Sequence, residues 1–151
     1  TLFADLHAQR SNELYAIISG MVREHPGTLR LIWKDAPEQS LVWKSATLAH
    51  QGAYCAGKQN SFWSFIDALQ KQKILSDTKK LESISAALGL NTAQWRACFD
   101  DPAARTYVLT NLALARALKL PPAPVVFINN KRVSSDPALS MSDLLATFIN
   151  P

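Results

Sequence analysis

The side chains best able to do chemistry in this chain are two thiols, three imidazoles and a short polar run near the start. Cys55 and Cys98 are the only cysteines. They are too far apart in sequence for a Cys-x-x-Cys pair, and they make no metal-ligand cluster with His7, His25 and His50. Ser11 could serve as a nucleophile only with a base to activate it. The sequence identifies no such base, so a helix-start residue is the simpler reading. His7 could donate to a ligand or simply be solvated. Arg10 places a cation beside it, or is an ordinary exposed arginine. Pro124 is the remaining candidate. A cis X-Pro bond occurs in only about 5–6% of cases in folded chains, so the residue alone argues little.

The elements that would position these groups belong to an ordinary globular chain. Its 151 residues fit one domain, with 48% hydrophobic and 19% charged residues. No run approaches the roughly 18 apolar residues of a membrane span, so no membrane insertion is expected. No signal peptide is present, which carries no weight because Thr1-Leu2-Phe3 already reads as a buried strand. The net charge is +4, and Lys79-Lys80 and Lys131-Arg132 are the only basic doublets. No basic run is interleaved with aromatics, which argues against nucleic acid as a partner.

Punctuation and periodicity divide the chain. A short strand at Leu2-Phe3 leads to a helix whose apolar face is Leu14, Ile17, Ile18, Met21 and Val22, ending at His25-Pro26-Gly27. Leu29 to Trp33 reads as a strand buried on both faces, and Asp35 to Glu38 as a loop. Leu41 to Ala56 is helical and stops at Gly57. Ser61 is a plausible cap for a helix carrying Phe62, Phe65, Ile66 and Leu69; Ser76 or Asp77 for one carrying Leu81, Ile84 and Leu88; Thr92 for one carrying Trp95, Cys98 and Phe99. Asp101-Pro102 starts a helix through Val108, Leu112 and Ala115. Val125 to Ile128 and Lys131 to Val133 form a hairpin around Asn129-Asn130. Ser140 to Asp143 resembles a capping box for a last helix with Leu144, Leu145, Phe148 and Ile149. Trp33, Trp43, Trp63 and Trp95 read as core packing. The expected fold is α/β, a mixed sheet with helices on both faces and helices inserted midway.

This order resembles the thioredoxin fold of DsbA-like proteins, with their helical insertion at about residues 40–100 of a single domain spanning 1–151. Phe3-Ala4-Asp5-Leu6-His7 looks like the strand end that delivers that family's Cys-Pro-x-Cys. Val22 to Pro37 resembles its second strand, with a charged residue and a proline after it. Tyr54-Cys55-Ala56 and Phe62-Trp63 resemble its insert helices. Ala123-Pro124, the strand Val125 to Ile128 and Asn129-Asn130-Lys131 resemble its cis-proline loop and hairpin. The family's strand before the active-site strand is shortened or missing at Thr1.

The departure is at the reactive centre. Ala8-Gln9-Arg10-Ser11 stands where the resemblance places the two cysteines and the residues between them. A methyl group cannot attack a disulfide, and a serine hydroxyl cannot resolve one. The resemblance therefore implies a degenerate member without a catalytic residue, cofactor or metal at that site. It would use His7, Arg10, Ala123 and Pro124 to meet a protein or unfolded peptide, in a chaperone-like or assembly role, alone or as one part of a larger chain or assembly. The family is extracytoplasmic and bacterial, which implies a periplasmic location. That in turn favours a structural Cys55–Cys98 disulfide over two buried thiols or a displaced redox pair. The alternative functions are a thiol-disulfide oxidoreductase or isomerase acting through Cys55 and Cys98, and a Ser11-based enzyme similar to the kappa-class glutathione transferases.

Overall fold

In the computed structural model, residues 1–38, 46–72 and 76–133 are described. Four strands form one sheet in the order β2-β1-β3-β4. Strand β1 (Leu2–Ala4) pairs parallel with β2 (Trp33–Asp35) and antiparallel with β3 (Val125–Ile128), which turns back antiparallel into β4 (Lys131–Val133). The parallel pair requires a crossover, and helix α1 (Gln9–Glu24) supplies it. Asn129 and Asn130 take φ of 46° and 67°. These are the left-handed values that a two-residue hairpin demands and that asparagine tolerates. The mixed sheet and its flanking helices form the thioredoxin fold expected from the sequence.

The strand expected at Leu29 to Trp33 is displaced toward the C-terminus. Strand β2 begins at Trp33, which lies opposite Leu2, and residues 29–32 precede it. Ile32 is 39% exposed. The buried face of α1 also differs: Ser11, Tyr15 and Ile18 are buried, while Ile17 points outward. Ile17 and Ile18 sit about 100° apart around the axis, and one sheet face cannot cover both.

Four helices follow β2: α2 (Leu48–Gly57), α3 (Phe62–Leu69), α4 (Thr78–Ala87) and α5 (Thr92–Asp100); α6 (Pro102–Ala117) returns to the sheet. Their starts correct two expected caps. Ser61 makes no side-chain cap bond and instead donates to the Gln59 carbonyl. Asn91, not Thr92, caps α5 by accepting the Gln94 N–H at 3.0 Å. Asp77 and Asp101 cap α4 and α6 by accepting backbone N–H groups two residues on, at 2.9 and 2.8 Å. The helical residues expected at 41–45, with Trp43, and the last helix at 140–149 lie outside the described residues.

Helix α2 is the hub. It packs against α3, α4, α5 and α6. Its small residues Ala49, Gly52, Ala53 and Ala56 are buried and let the neighbours come close. Trp95 stacks between Phe65 and Phe99 and donates its Nε1–H to the Gly52 carbonyl at 3.0 Å. Core packing thus accounts for Trp33 and Trp95. It does not account for Trp63, which is 40% exposed and stacked on Tyr15. A disulfide joins Cys55 on α2 to Cys98 on α5.

Two outcomes follow from this packing. Thiol titration in denaturant without reductant should find no reactive thiol, and reduction should lower stability by up to about 4 kcal/mol, the loop-closure value for a span of this length. In Gly52→Ala, the new Cβ would lie 3.2 Å from ring carbons of Phe65 and Trp95, both fully buried. Overpacking costs about 1–3 kcal/mol, against a helix-propensity gain of about 1 kcal/mol. Urea unfolding should therefore show a net loss.

Candidate functional site

The β1–α1 turn is built from β1 outward. After Ala4, the buried residues Asp5 and Leu6 lead to half-buried His7 and Ala8, and Ala8 is the N-cap of α1. Gln9 and Arg10 are exposed on its first turn. Ser11 is fully buried, and its Oγ accepts the Asp5 N–H at 3.1 Å. The hydroxyl is committed to closing the turn. Asn12 reinforces it by donating Nδ2–H to the Leu6 carbonyl at 3.1 Å.

The second segment arrives from β3. The Ala123–Pro124 peptide bond is cis, and both residues are half-buried. Phe3 pairs with Val125 and Leu2 with Val126. Continuing that antiparallel register brings Pro124 level with Ala4 and Ala123 level with Asp5. The proline loop and the start of α1 thus share one end of the sheet. His7 and Ala8 thus lie in the turn at the same end of the sheet as Ala123-Pro124, and Arg10 is exposed. Cys55 and Cys98 belong instead to the helical region, where Cys55 is buried in the core.

Beneath the turn lies a polar cluster that the sequence did not reveal. Asp35, at the end of β2, accepts Trp33 Nε1–H on Oδ1 at 2.8 Å and Asn111 Nδ2–H on Oδ2 at 3.0 Å. His50, fully buried on α2, places Nδ1 2.7 Å from the same Oδ1. The other ring nitrogen faces β1: Nε2 is 3.5 Å from Asp5 Oδ1, and the Leu6 N–H points at it from 3.2 Å. Asp5 is further held by the backbone N–H of His7 on Oδ1, at 2.9 Å, and of Glu38 on Oδ2, at 3.0 Å. Residues 5, 35, 50 and 111 are too widely spaced for any local pattern, and a lone histidine on an Ala-rich helix reads as core.

The electrostatics follow from these contacts. Burial by itself would raise the Asp5 carboxyl. The hydrogen bonds to His50 and His7 and the Glu38 and His7 amides outweigh it and hold Asp5 well below the usual carboxylate range. Burial by itself would also disfavour a charged His50. Its hydrogen bonds to Asp35 and Asp5, and their charges, push it up to about 9. Both protonation states keep the Nδ1–H to Asp35. They differ at Nε2, which accepts from Leu6 when neutral and donates toward Asp5 when protonated.

A thioredoxin-type fold with a cis-proline loop beside a helix N-terminus defines the class. A sequence profile described as thioredoxin matches residues 9–147, and the chain belongs to that family. Solved structures agree on the fold. A thioredoxin-like oxidoreductase from Silicibacter pomeroyi is 20% identical with a TM-score of 0.79, over 97% of this chain and 82% of that one. The thiol-disulfide exchange protein alpha-DsbA2 from Wolbachia pipientis is 16% identical with a TM-score of 0.81, over 98% and 77%. A periplasmic thioredoxin-like protein from Salmonella enterica serovar Typhimurium is 18% identical with a TM-score of 0.75, over 96% and 78%. A comparison with curated protein sequences returns no match. The chain carries no Cys-x-x-Cys: its two cysteines form the Cys55–Cys98 disulfide, and Ala8-Gln9-Arg10-Ser11 stands at the start of α1. Among the described residues, no helix is long and apolar enough to cross a membrane.

Removing one partner from a buried ionic cluster typically costs about 3–5 kcal/mol. Asp35→Ala strands Trp33 Nε1–H, Asn111 Nδ2–H and the His50 ring together, so urea unfolding should show a loss of that size. A loss below about 1 kcal/mol would mean that water replaces the carboxylate.

Proposed function

We infer that this chain is a binding domain of the thiol-disulfide oxidoreductase type, without dithiol chemistry at the usual position, acting on protein or unfolded peptide in the periplasm. The observation that carries this reading is Ala8 at the N-cap of α1, at the same end of the sheet as the proline loop on the neighbouring strand. The helix N-terminus keeps its free amides and its positive end, which suit an incoming peptide carbonyl. Ala8 offers that peptide a methyl surface in place of a nucleophile. Arg10 adds an exposed cation at the rim, which favours acidic or carboxylate-bearing partners, and His7 adds a polar edge. Ala123 would offer backbone groups to an extended strand. Residues 1–151 act as one domain in this reading, alone or within a larger assembly, with the helices at about 40–100 as its insertion.

The two enzymatic alternatives have less support. Cys55 is 1% exposed within the core, so an external thiol has little access to its disulfide. Ser11 Oγ is buried and accepts a backbone N–H, with no base beside it among its hydrogen bonds.

Fluorescence anisotropy with a labelled, reduced and alkylated unfolded polypeptide tests the reading. The wild type should bind, and Ala8→Trp and Arg10→Glu should each weaken binding at least tenfold. An insulin-reduction assay should detect no turnover by the wild type, and should detect turnover once Ala8→Cys and Ser11→Cys are combined. Equal binding by all three proteins, or turnover by the wild type that disappears in Cys55→Ser, would overturn it.

A further inference from the structure

The polar cluster under the β1–α1 turn has one side that structural packing does not require. His50 Nδ1, Trp33 Nε1 and Asn111 Nδ2 all converge on Asp35 and tie β2 to α2 and α6. The other side of the imidazole looks toward the turn. There, Asp5 Oδ1 lies 3.5 Å from His50 Nε2 and 3.4 Å from His7 Nδ1. One ligand atom each from Asp5, His7 and His50 falls within 4.8 Å of the others.

We propose that Asp5, His7 and His50 form a binding site for a divalent cation of the zinc class. The sequence suggests no metal centre, since these residues are joined only by the fold. Three observations carry the assignment.

The first is spacing. A tetrahedral zinc ion with nitrogen and oxygen ligands at about 2.0–2.1 Å sets those ligands about 3.3–3.4 Å apart. The separations of 3.4 and 3.5 Å from Asp5 Oδ1 to the two imidazoles match that, and the imidazole nitrogens lie within 4.8 Å of each other, so a side-chain adjustment that draws them together completes the set. The second is donor chemistry. Two imidazoles and one carboxylate suit zinc and its neighbours, and fall well short of the six or more oxygens that calcium takes.

The third is the surrounding support. A metal-bound histidine characteristically donates its other N–H to a carboxylate that fixes ring orientation and tautomer. His50 Nδ1 does this to Asp35 at 2.7 Å, and Trp33 and Asn111 hold Asp35 in turn. Asp5 is oriented in the same way by the His7 and Glu38 amides. The supporting shell is thus already in place. Binding displaces the 3.2 Å hydrogen bond from the Leu6 N–H to Nε2, and from the protonated imidazole it also releases the Nε2 proton directed at Asp5.

The remaining coordination position has room. A cavity of about 120 Å³ opens at the cluster, lined by Asp5, His7, Ala8, Glu38 and Ala46. A water molecule, the Glu38 carboxylate or a partner's carboxylate could complete the tetrahedron there. Ala8 forms part of that wall, so the metal site and the peptide surface adjoin.

Isothermal titration of the chelator-stripped, untagged full chain with zinc tests the proposal, alongside absorption spectra with cobalt(II) as a tetrahedral reporter. The expected result is one zinc per chain, a rise in melting temperature with zinc, and visible cobalt bands of the intensity that tetrahedral sites give. His7→Ala and Asp5→Asn should each weaken zinc binding at least tenfold. His7→Ala, at the edge of the cluster, should keep the far-ultraviolet circular dichroism of the stripped wild type, and His7→Gln serves if it does not. His25→Ala, at the exposed end of α1, should bind as the wild type does. Substoichiometric binding, binding unchanged in both His7→Ala and Asp5→Asn, or binding lost in His25→Ala overturns the proposal.

Discussion

The carboxylate of Asp35 is the point on which this structure depends. It is 1% exposed, ends the edge strand β2, and accepts hydrogen bonds from its own strand, from α2 and from α6. A buried carboxylate is costly unless its lone pairs are satisfied, and here three directional donors satisfy them. Hydrophobic packing alone would hold these elements together loosely in rotation. The three hydrogen bonds set that rotation. They also aim His50 at the β1–α1 turn, so a structural constraint beside the sheet prepares the chemistry at its end.

Small residues make this possible. Helix α2 crosses the middle of the helical layer with Ala49, Gly52, Ala53 and Ala56 buried, and the large rings of Phe65, Trp95 and Phe99 come from its neighbours. A bulkier α2 would push its partners outward and lift His50 away from Asp5 and Asp35. The Cys55–Cys98 disulfide fastens the same helix to α5 and acts largely by constraining the unfolded chain. The hydroxyl of Ser11, on the first turn of α1, closes the β1–α1 turn by accepting the Asp5 N–H.

The replaced site is consequently an altered surface rather than a vacancy. A reactive thiol at a helix N-terminus needs solvent access and a positive environment. The environment persists at Ala8, but the groups beneath it now form a paired network of Asp5, His50 and Asp35. Such a network is stable only when each member is answered, which explains the two backbone amides directed at Asp5.

Much of the fold was legible in the sequence because its signals are local. Asp101-Pro102 starts a helix by its own chemistry, Asn129-Asn130 turns a hairpin because both residues accept positive φ, and the lack of a Cys-x-x-Cys pair is read from residue type alone. Other expectations failed where the answer depended on a partner. Leu29 to Leu31 are apolar enough for a strand, yet strand β2 begins only at Trp33. Ile17 fits a helical apolar stripe, yet one sheet covers only part of it. Asp5, Asp35, His50 and Asn111 could not be found from sequence, because no local pattern relates residues so far apart. The chain by itself determined which groups are present and how they are spaced along it. Only tertiary packing decided which of them meet, because burial and register bring distant polar groups within hydrogen-bond reach.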